Sequence, residues 1–415
     1  MNLFRPLRQR HLRTLWGSQV LSSMGDHLYD LAVIWTAVQV AGSGAGLVAA
    51  TNTAARLVFG LLGGVYADRW NRRRAMIGAD LIRAIAVVTL PVLAHGGHLT
   101  LWHLAAVSAV LGALGSLFDP ALQASLPVLA PDVPTLRAMN GLMDGTRRLA
   151  LALAPSFAGV LIVVLPLAQF FTLDAISFAV SALAVASLGT RFAWQPVRVL
   201  GERHVLREVA GAVRLVREHA LVWWYLCSNV VSNMAWGAAF RIGIPLLAAR
   251  ALGGNVGALG LLMGAYGVGN ILSNFVVGSI TVRRPTAMLF ASNIVLGAGF
   301  ALVAIAPNLP FALLGTALGA IGGPMGDILL TTMLQHDFPP DQIGKVFSLR
   351  FTLGNVGLGL GLLAASPLFA LVSPRIGIGL CALIIAATGV TGIARFRAFA
   401  PQVAPDRVPE YSERV

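Results

Sequence analysis

Charged residues are scarce in this chain of 415 residues, of which 11% are Asp, Glu, Lys or Arg and 57% are hydrophobic. Mean hydropathy is +0.77, so the composition excludes a water-soluble globule and indicates that the lipid bilayer is the solvent. There are two cysteines, Cys227 and Cys381, both inside apolar runs, which excludes a disulfide framework. The sequence also lacks a Walker loop and metal-enzyme spacings. We therefore expect neither an enzyme nor a bound cofactor or metal.

The formal net charge of +13 does not indicate a nucleic-acid partner. Arginines are scattered singly between apolar stretches and do not line one polar face. Membrane topology explains this placement better.

Apolar stretches of about 20 residues, long enough to cross the bilayer as helices, repeat along the chain. The first is too long for a signal peptide and carries Asp26 and Asp30, so a retained helix is expected. The twelve predicted spans are 14–40, 46–66, 75–95, 101–119, 138–163, 167–189, 220–248, 255–280, 286–306, 309–334, 345–371 and 376–396.

Positive charge is asymmetric across these spans. Of the 30 Lys and Arg residues, 25 fall at alternate connections, including the adjoining span ends, and at the termini, whereas Arg250 and Arg375 fall on the other side. The positive-inside rule then places both termini in the cytoplasm.

The chain also looks duplicated, because similar residues recur 208 or 209 positions apart. They are Asp119 with Asp327, Asp132 with Asp341, and Arg137 with Lys345. Two six-helix bundles related by an axis along the membrane normal would produce such a repeat. The predicted units are an N-terminal bundle (1–190), a cytoplasmic linker (191–218), a C-terminal bundle (219–398) and a cytoplasmic tail (399–415). Helically spaced apolar residues in the linker predict an amphipathic helix on the inner leaflet.

The densest charge cluster, residues 64–74, has a small residue, then Asp-Arg, a turn residue and a run of Arg. Together with Gly25-Asp26-His27-Leu28-Tyr29 and the segment 78–84, it resembles the major facilitator superfamily, in its enterobactin-exporter and macrolide-efflux branch. The resemblance implies an all-α fold of twelve membrane helices in the bacterial inner membrane. It also implies proton-driven export of amphipathic drug-like or siderophore-like molecules by alternating access.

Within that cluster, Asp68 can interact with Arg69, Arg73 or the N-terminus of a neighbouring helix, which predicts a latch that closes the cytoplasmic side. The predicted gate motif comprises Gly64, Asp68, Arg69, Arg72 and Arg73.

The predicted fifth span carries Pro155 and Gly159 in an element similar to the Gly-Pro element of facilitator antiporters. A proline kink without bearing on transport direction is the alternative.

Charged residues within the spans are the proton-coupling candidates, because a charge in the membrane usually faces a cavity or a partner. Asp26 and Asp30 are four apart on one face of the first span, and Arg56 is at the middle of the second. Two carboxylates competing for one arginine suit proton exchange, whereas a static ion pair with Arg56 would only fix helix packing. Arg241 is placed across the predicted cavity, where it would bind an anionic substrate or alternate as the partner of the acid, and a structural role is the alternative. Asp327, in a glycine-rich segment, is the remaining candidate.

Aromatic and amide side chains are expected to form the pathway walls, a mixture that suits amphipathic compounds. These cavity candidates are Tyr29, Trp35, Asn229, Asn233, Trp236, Arg241, Tyr266, Asn270 and Asn355. Asp80 and Arg83, three apart, are read as a helix-surface pair.

The expected partners are the bilayer, a small-molecule substrate and protons, and the chain is expected to act as a monomer. One alternative is a lysophospholipid or divalent-metal transporter without proton antiport, since His27 adjoins Asp26. The other is a transport-dead membrane receptor or assembly protein.

Overall fold

The structure is a computed structural model that describes residues 4–66, 71–132, 134–136, 138–143, 145–146, 149–150, 161, 165–189, 205–279, 282, 284–338 and 340–396. All regular secondary structure in these residues is helical. This agrees with the all-α membrane fold predicted from hydropathy.

Within the part of the N-terminal half that the structure describes, there are five long helices. They are α1 (Arg10–Ala41), α2 (Ala45–Tyr66), α3 (Arg72–His95), α4 (Leu101–Leu129) and α5 (Ala168–Ser187). Asn71 begins α3, because its side chain accepts a hydrogen bond of 3.1 Å from the Arg74 N–H and so satisfies a free amide of the first turn. Beyond α4, Asp132 accepts a hydrogen bond of 2.7 Å from the Thr135 N–H and pairs with Arg5 at 2.9 Å.

A short amphipathic helix in the linker precedes the C-terminal half, whose described helices are apolar. The linker helix and the helices that follow it are α6 (Val205–Arg217), α7 (Ala220–Trp236), a π-helical segment (Gly237–Gly243), α8 (Ile244–Ala251), α9 (Val256–Ser279), α10 (Pro285–Ile305), α11 (Leu309–Ala320), α12 (Gly322–Asp337), α13 (Pro340–Leu371) and α14 (Pro374–Phe396).

Among the described residues, ten helical stretches are long and apolar enough to cross a membrane. The first, Arg10–Gly60, runs through α1 and α2, so these stretches cover eleven of the twelve predicted spans. The other, 138–163, lies mostly outside the described residues. Large apolar side chains such as Leu183, Phe275 and Leu371 are exposed, as expected for residues that face lipid.

Two predicted elements differ in detail. The span 309–334 is two helices, α11 and α12, that meet at Ile321 ahead of Gly322, Gly323 and Pro324. The linker helix α6 buries Ala212 and Val216 against α7 and α13 in the C-terminal half. Its apolar face is therefore used at least partly for protein packing and not only for the lipid surface.

The two halves touch where α2 packs on α13 and where the ends of α1 and α8 meet. The Ser366 hydroxyl donates to the Ser43 carbonyl at 3.0 Å. At Gly46, a Cβ atom would lie 2.7 Å from the Leu362 carbonyl oxygen and 2.8 Å from Ser366 Oγ, so α2 and α13 approach closely only because Gly46 has no side chain. These contacts close the protein on the side of the α1–α2 turn.

Candidate functional site

A central cavity of about 710 Å³ lies between the halves. It reaches from Val48 and Leu362, next to the closed side, to Gln19 and Thr146 near the N-terminal end of α1. Its lining combines apolar side chains with charged ones, which are Asp26, Asp30, Arg56, Arg83, Asp119 and Arg241. Both its volume and its mixed lining suit a small organic molecule.

One ion pair joins the two halves across this cavity. Arg241 Nη1 lies 3.5 Å from Asp30 Oδ2, and both side chains are partly exposed. Arg241 belongs to the π-helical segment, and Asp30 is on α1. The structure thus places Arg241 opposite the first-span acids, as the sequence predicts, and identifies Asp30 as its partner.

The predicted pairing of Arg56 with Asp26 or Asp30 is wrong. Arg56 Nη1 instead lies 3.7 Å from Asp119 Oδ2 on α4. The physical reason is helix packing: α2 lies along α4, so Arg56 faces that helix at the depth of Asp119. Asp119 is thus a cavity residue that the sequence prediction does not include, although its repeat with Asp327 is a signal for it.

Asp26 is exposed to the cavity, whereas Asp80 and Arg83 on α3 are buried. The prediction of a helix-surface pair is correct in pairing Asp80 with Arg83 but wrong in exposure. The Arg83 guanidinium also lies over the rings of Phe118 and Phe178, 4.6 and 4.4 Å from their centroids. These two rings provide cation–π contacts that help to hold a buried arginine.

Asp327 does not line the cavity. It pairs with Arg350 on α13, with Oδ1 2.6 Å from Arg350 Nη2, while the Arg350 Nη1 donates to Thr331 at 2.9 Å. In each half, the repeated aspartate therefore holds an arginine of another helix.

Three of the nine cavity candidates line the cavity, namely Tyr29, Arg241 and Asn355. The prediction is wrong for the other six, which do not line this cavity. They are Trp35, Asn229, Asn233, Trp236, Tyr266 and Asn270.

Five of these six residues are held by burial or by hydrogen bonds within their own half. Trp35 is buried, with 6% of its surface exposed. The Trp236 indole donates to the Tyr266 hydroxyl at 3.0 Å and stacks on Phe240 within the C-terminal half. The Asn233 amide is bound to Asn229 on the preceding turn of α7 at 2.6 Å.

The gate motif is described in part. Gly64 lies in the last turns of α2, and Asp68 and Arg69 lie outside the described residues. Arg73 donates to the Val185 and Ala186 carbonyls at the end of α5, at 3.4 and 2.5 Å, and Arg72 lies beside it in the first turn of α3. Arg73 thus adds side-chain hydrogen bonds to carbonyls at a helix C-terminus. Pro155 and Gly159 also lie outside the described residues.

Apolar membrane helices in two halves around a charged central cavity define a membrane transport protein of the major facilitator fold. The chain belongs to the family of transmembrane secretion effectors within that superfamily, whose pattern matches residues 1–393. It is a multi-pass membrane transporter and not an enzyme.

Relatives with assigned names match most of the chain. Macrolide efflux protein A of Streptococcus pyogenes is 23% identical over 371 residues, covering 88% of this chain and 90% of the relative. Multidrug efflux pump Tap of Mycolicibacterium fortuitum is 28% identical over 359 residues, covering 83% of this chain and 85% of the relative.

Solved structures share the fold. A bacterial homologue of the iron transporter ferroportin in an inward-facing state matches with a TM-score of 0.70 at 14% identity, covering 94% of this chain and 98% of that one. The peptide transporter POT in complex with sulfate also gives a TM-score of 0.70, at 13% identity, covering 94% of each chain.

Proposed function

We propose that the protein exports amphipathic drug-like small molecules from the bacterial cytoplasm by alternating access, in exchange for protons. The observation that carries the proposal is the central cavity, in which Asp30 and Arg241 from opposite halves form an ion pair. The names of the efflux relatives support a drug-like substrate.

The cavity chemistry supports amphipathic substrates. Apolar side chains such as Val33, Leu111 and Leu358 provide broad surface, and Asn52 and Asn355 provide hydrogen-bonding groups. Exposed carboxylates at Asp26 and Asp30 can accept a cationic amine. Siderophore-like molecules remain within this substrate class.

The direction of opening follows from the proposed topology. With both termini in the cytoplasm of the inner membrane, the side closed by Ser43, Gly46 and Ser366 faces outward. The cavity then opens towards the cytoplasm near Gln19 and Thr146, ready to take up substrate. We further propose that residues 1–190 and 219–398 are the two bundles that move, joined by 191–218 and followed by the tail 399–415, within a functional monomer.

Asp30 is the proposed coupling acid. Protonation of its carboxylate would remove the charge that holds Arg241, and so loosen the contact between α1 and the π-helical segment. Substrate and proton would then compete for the same link between halves. Asp26, without an ion pair among the described residues, is the second acid available to substrate.

The test is flux in proteoliposomes with an imposed pH gradient, using ethidium and a macrolide as probes. Wild-type protein is expected to accumulate a probe against its gradient. Asp30→Asn should abolish this accumulation yet still exchange probe downhill, because exchange needs no net protonation cycle. Asp119→Asn, which also removes one carboxylate from the cavity lining, is the matched control and should still accumulate a probe.

Two results would overturn the proposal. Gradient-driven accumulation by Asp30→Asn at the wild-type rate would remove Asp30 from coupling. Movement of a lysophospholipid or a divalent metal by the wild-type protein, with neither drug-like probe moved and no proton flux, would replace the substrate class.

A further inference from the structure

The carboxyl group of Asp174 on α5 is enclosed by protein and almost without hydrogen bonds. Its side chain is 0% exposed, and Oδ2 has no partner among the described residues. Oδ1 lies 3.4 Å from Ser177 Oγ, but that hydroxyl donates to the Asp174 backbone carbonyl at 2.8 Å. Asp174 is therefore a buried acid whose own helix does not satisfy it.

This carboxyl lies directly behind the cavity wall. At Gly25 on α1, a Cβ atom would be 2.7 Å from Asp174 Oδ1, so α1 and α5 come together at the carboxyl. The next residue, Asp26, lines the cavity. On α1, the residue that contacts the enclosed carboxyl of Asp174, Gly25, is therefore the neighbour of the cavity-facing Asp26.

No cation among the described residues neutralises Asp174. The nearby arginine, Arg83, is bound to Asp80 and held between Phe118 and Phe178. The acids of α1 beside this contact, Asp26 and Asp30, are themselves negative when ionised and supply no counter-charge. An unpaired carboxylate is strongly disfavoured in a membrane interior, whereas a protonated carboxyl needs no counter-charge.

We propose that Asp174 is a second proton-binding site of this transporter, set behind the cavity wall and linked to the cavity through Asp26. The link to transport rests on the proposed function. When a cationic substrate binds Asp26, the negative charge that opposes ionisation of Asp174 is neutralised. The O–H bond of the carboxyl then breaks, its electrons stay on the oxygen, and the proton passes to cavity water. One positive charge enters the site as another leaves.

Infrared spectroscopy of purified protein with 13C-labelled aspartate carboxyl groups tests this proposal. At neutral pH the wild-type protein should show the band of a protonated aspartic acid. Asp174→Asn should remove that band. Asp119→Asn, which alters an exposed cavity acid paired with Arg56, should leave it in place.

A lipophilic cation, tetraphenylphosphonium, serves as the substrate probe in the same samples. Its addition should weaken the band and release about one proton per bound cation from wild-type protein, as measured with a pH dye. Asp26→Asn should uncouple binding from proton release. A band that persists in Asp174→Asn, or its absence from the wild type, would overturn the proposal. So would appearance of the band only when sodium is replaced by choline, because the site would then hold a metal cation.

A second variant covers the case in which Asp174→Asn does not fold. Gly25→Ala adds a methyl group 2.7 Å from Oδ1 and should shift the band frequency, and an unshifted band would contradict the assignment. The two proposals can fail separately. If no drug-like probe is transported but the infrared band is present, the proposed export function is wrong and the protonation of Asp174 stands. If transport is coupled to protons but the band is absent, only the proposal for Asp174 is wrong.

Discussion

Adding one methyl group at Gly46 tests whether the α2–α13 contact keeps the cavity closed on the side of the α1–α2 turn. The new Cβ would lie 2.7 Å from the Leu362 carbonyl oxygen and 2.8 Å from Ser366 Oγ. A carbon–oxygen contact normally needs about 3.3–3.6 Å, so the helices must part by roughly 0.6–0.9 Å. Gly46→Ala should therefore destabilise the closed side without touching the charged part of the cavity.

The expected size of the effect follows from overpacking. Inserting a methyl group into a packed contact costs about 1–3 kcal/mol. If the opposite conformation relieves the clash fully, the ratio of the two conformations changes by about 5- to 150-fold. The Ser366–Ser43 hydrogen bond lies next to this contact and should weaken with it.

Spin labels on the same side of the two halves report this change. Labels at His98 and Pro307, in a background with Cys227 and Cys381 replaced, give an interhalf distance by pulsed electron paramagnetic resonance. Gly46→Ala should increase the fraction of long distances. Gly78→Ala is the matched control, because no atom lies within 4 Å of a Cβ placed there. Identical distance distributions for Gly46→Ala and wild type would refute the reasoning.

Charged and polar positions outside this contact give three more expectations. A cysteine at His98 should react with an impermeant thiol reagent from outside intact cells and one at Asn71 should not; the reverse pattern would invert the topology. Asp80→Asn leaves the buried Arg83 guanidinium without its counter-charge and should destabilise the fold by about 3–5 kcal/mol, so a wild-type melting temperature would contradict the role of the pair. Hydrogen bonding to Thr135 and, less strongly, the positive charge of Arg5 hold the pKa of Asp132 below its usual range. As the pH falls, the contacts of Asp132 should therefore persist through the usual pKa range of an aspartate and be lost only below it. Hydrogen exchange at amides 135–136 measures this, and loss of protection within the usual range would contradict the expectation.

Hydropathy was enough to place eleven of the twelve predicted membrane spans, because a helix must be apolar for the width of the bilayer whatever its neighbours are. It could not show that 309–334 divides at Ile321 or that Gly237–Gly243 is π-helical, since both changes keep the segment apolar. The mutual placement of Asp30 and Arg241 was partly predictable, because both lie at mid-span in the first helices of the two halves.

Pairing on neighbouring helices was not predictable in the same way. Sequence gives the depth of Arg56 in the membrane but not which helix it faces, and the packing of α2 on α4 selected Asp119. The spacing of Asp80 and Arg83 predicted a pair, but the side of α3 that meets α5 decided that the pair is buried. Trp236 and Tyr266 were assigned to the cavity by residue type, whereas their mutual hydrogen bond draws them into the C-terminal half.

The π-helical segment has a consequence for how tolerant this helix is to changes in length. A π turn holds one more residue than an α turn, so Gly237–Gly243 is equivalent to a single-residue insertion in a continuous helix. Deleting Ile242 would let the segment close as an α-helix, while Gly237 and Gly243 at its two ends keep their close contacts with Leu358 and Phe369, because the π turn absorbs the extra residue locally. Each residue of an α-helix turns through about 100°, which is more than a residue of a π turn. The deletion would therefore change the direction only of side chains inside the segment, turning Arg241 about the helix axis relative to Asp30 while the flanking helices stay in place.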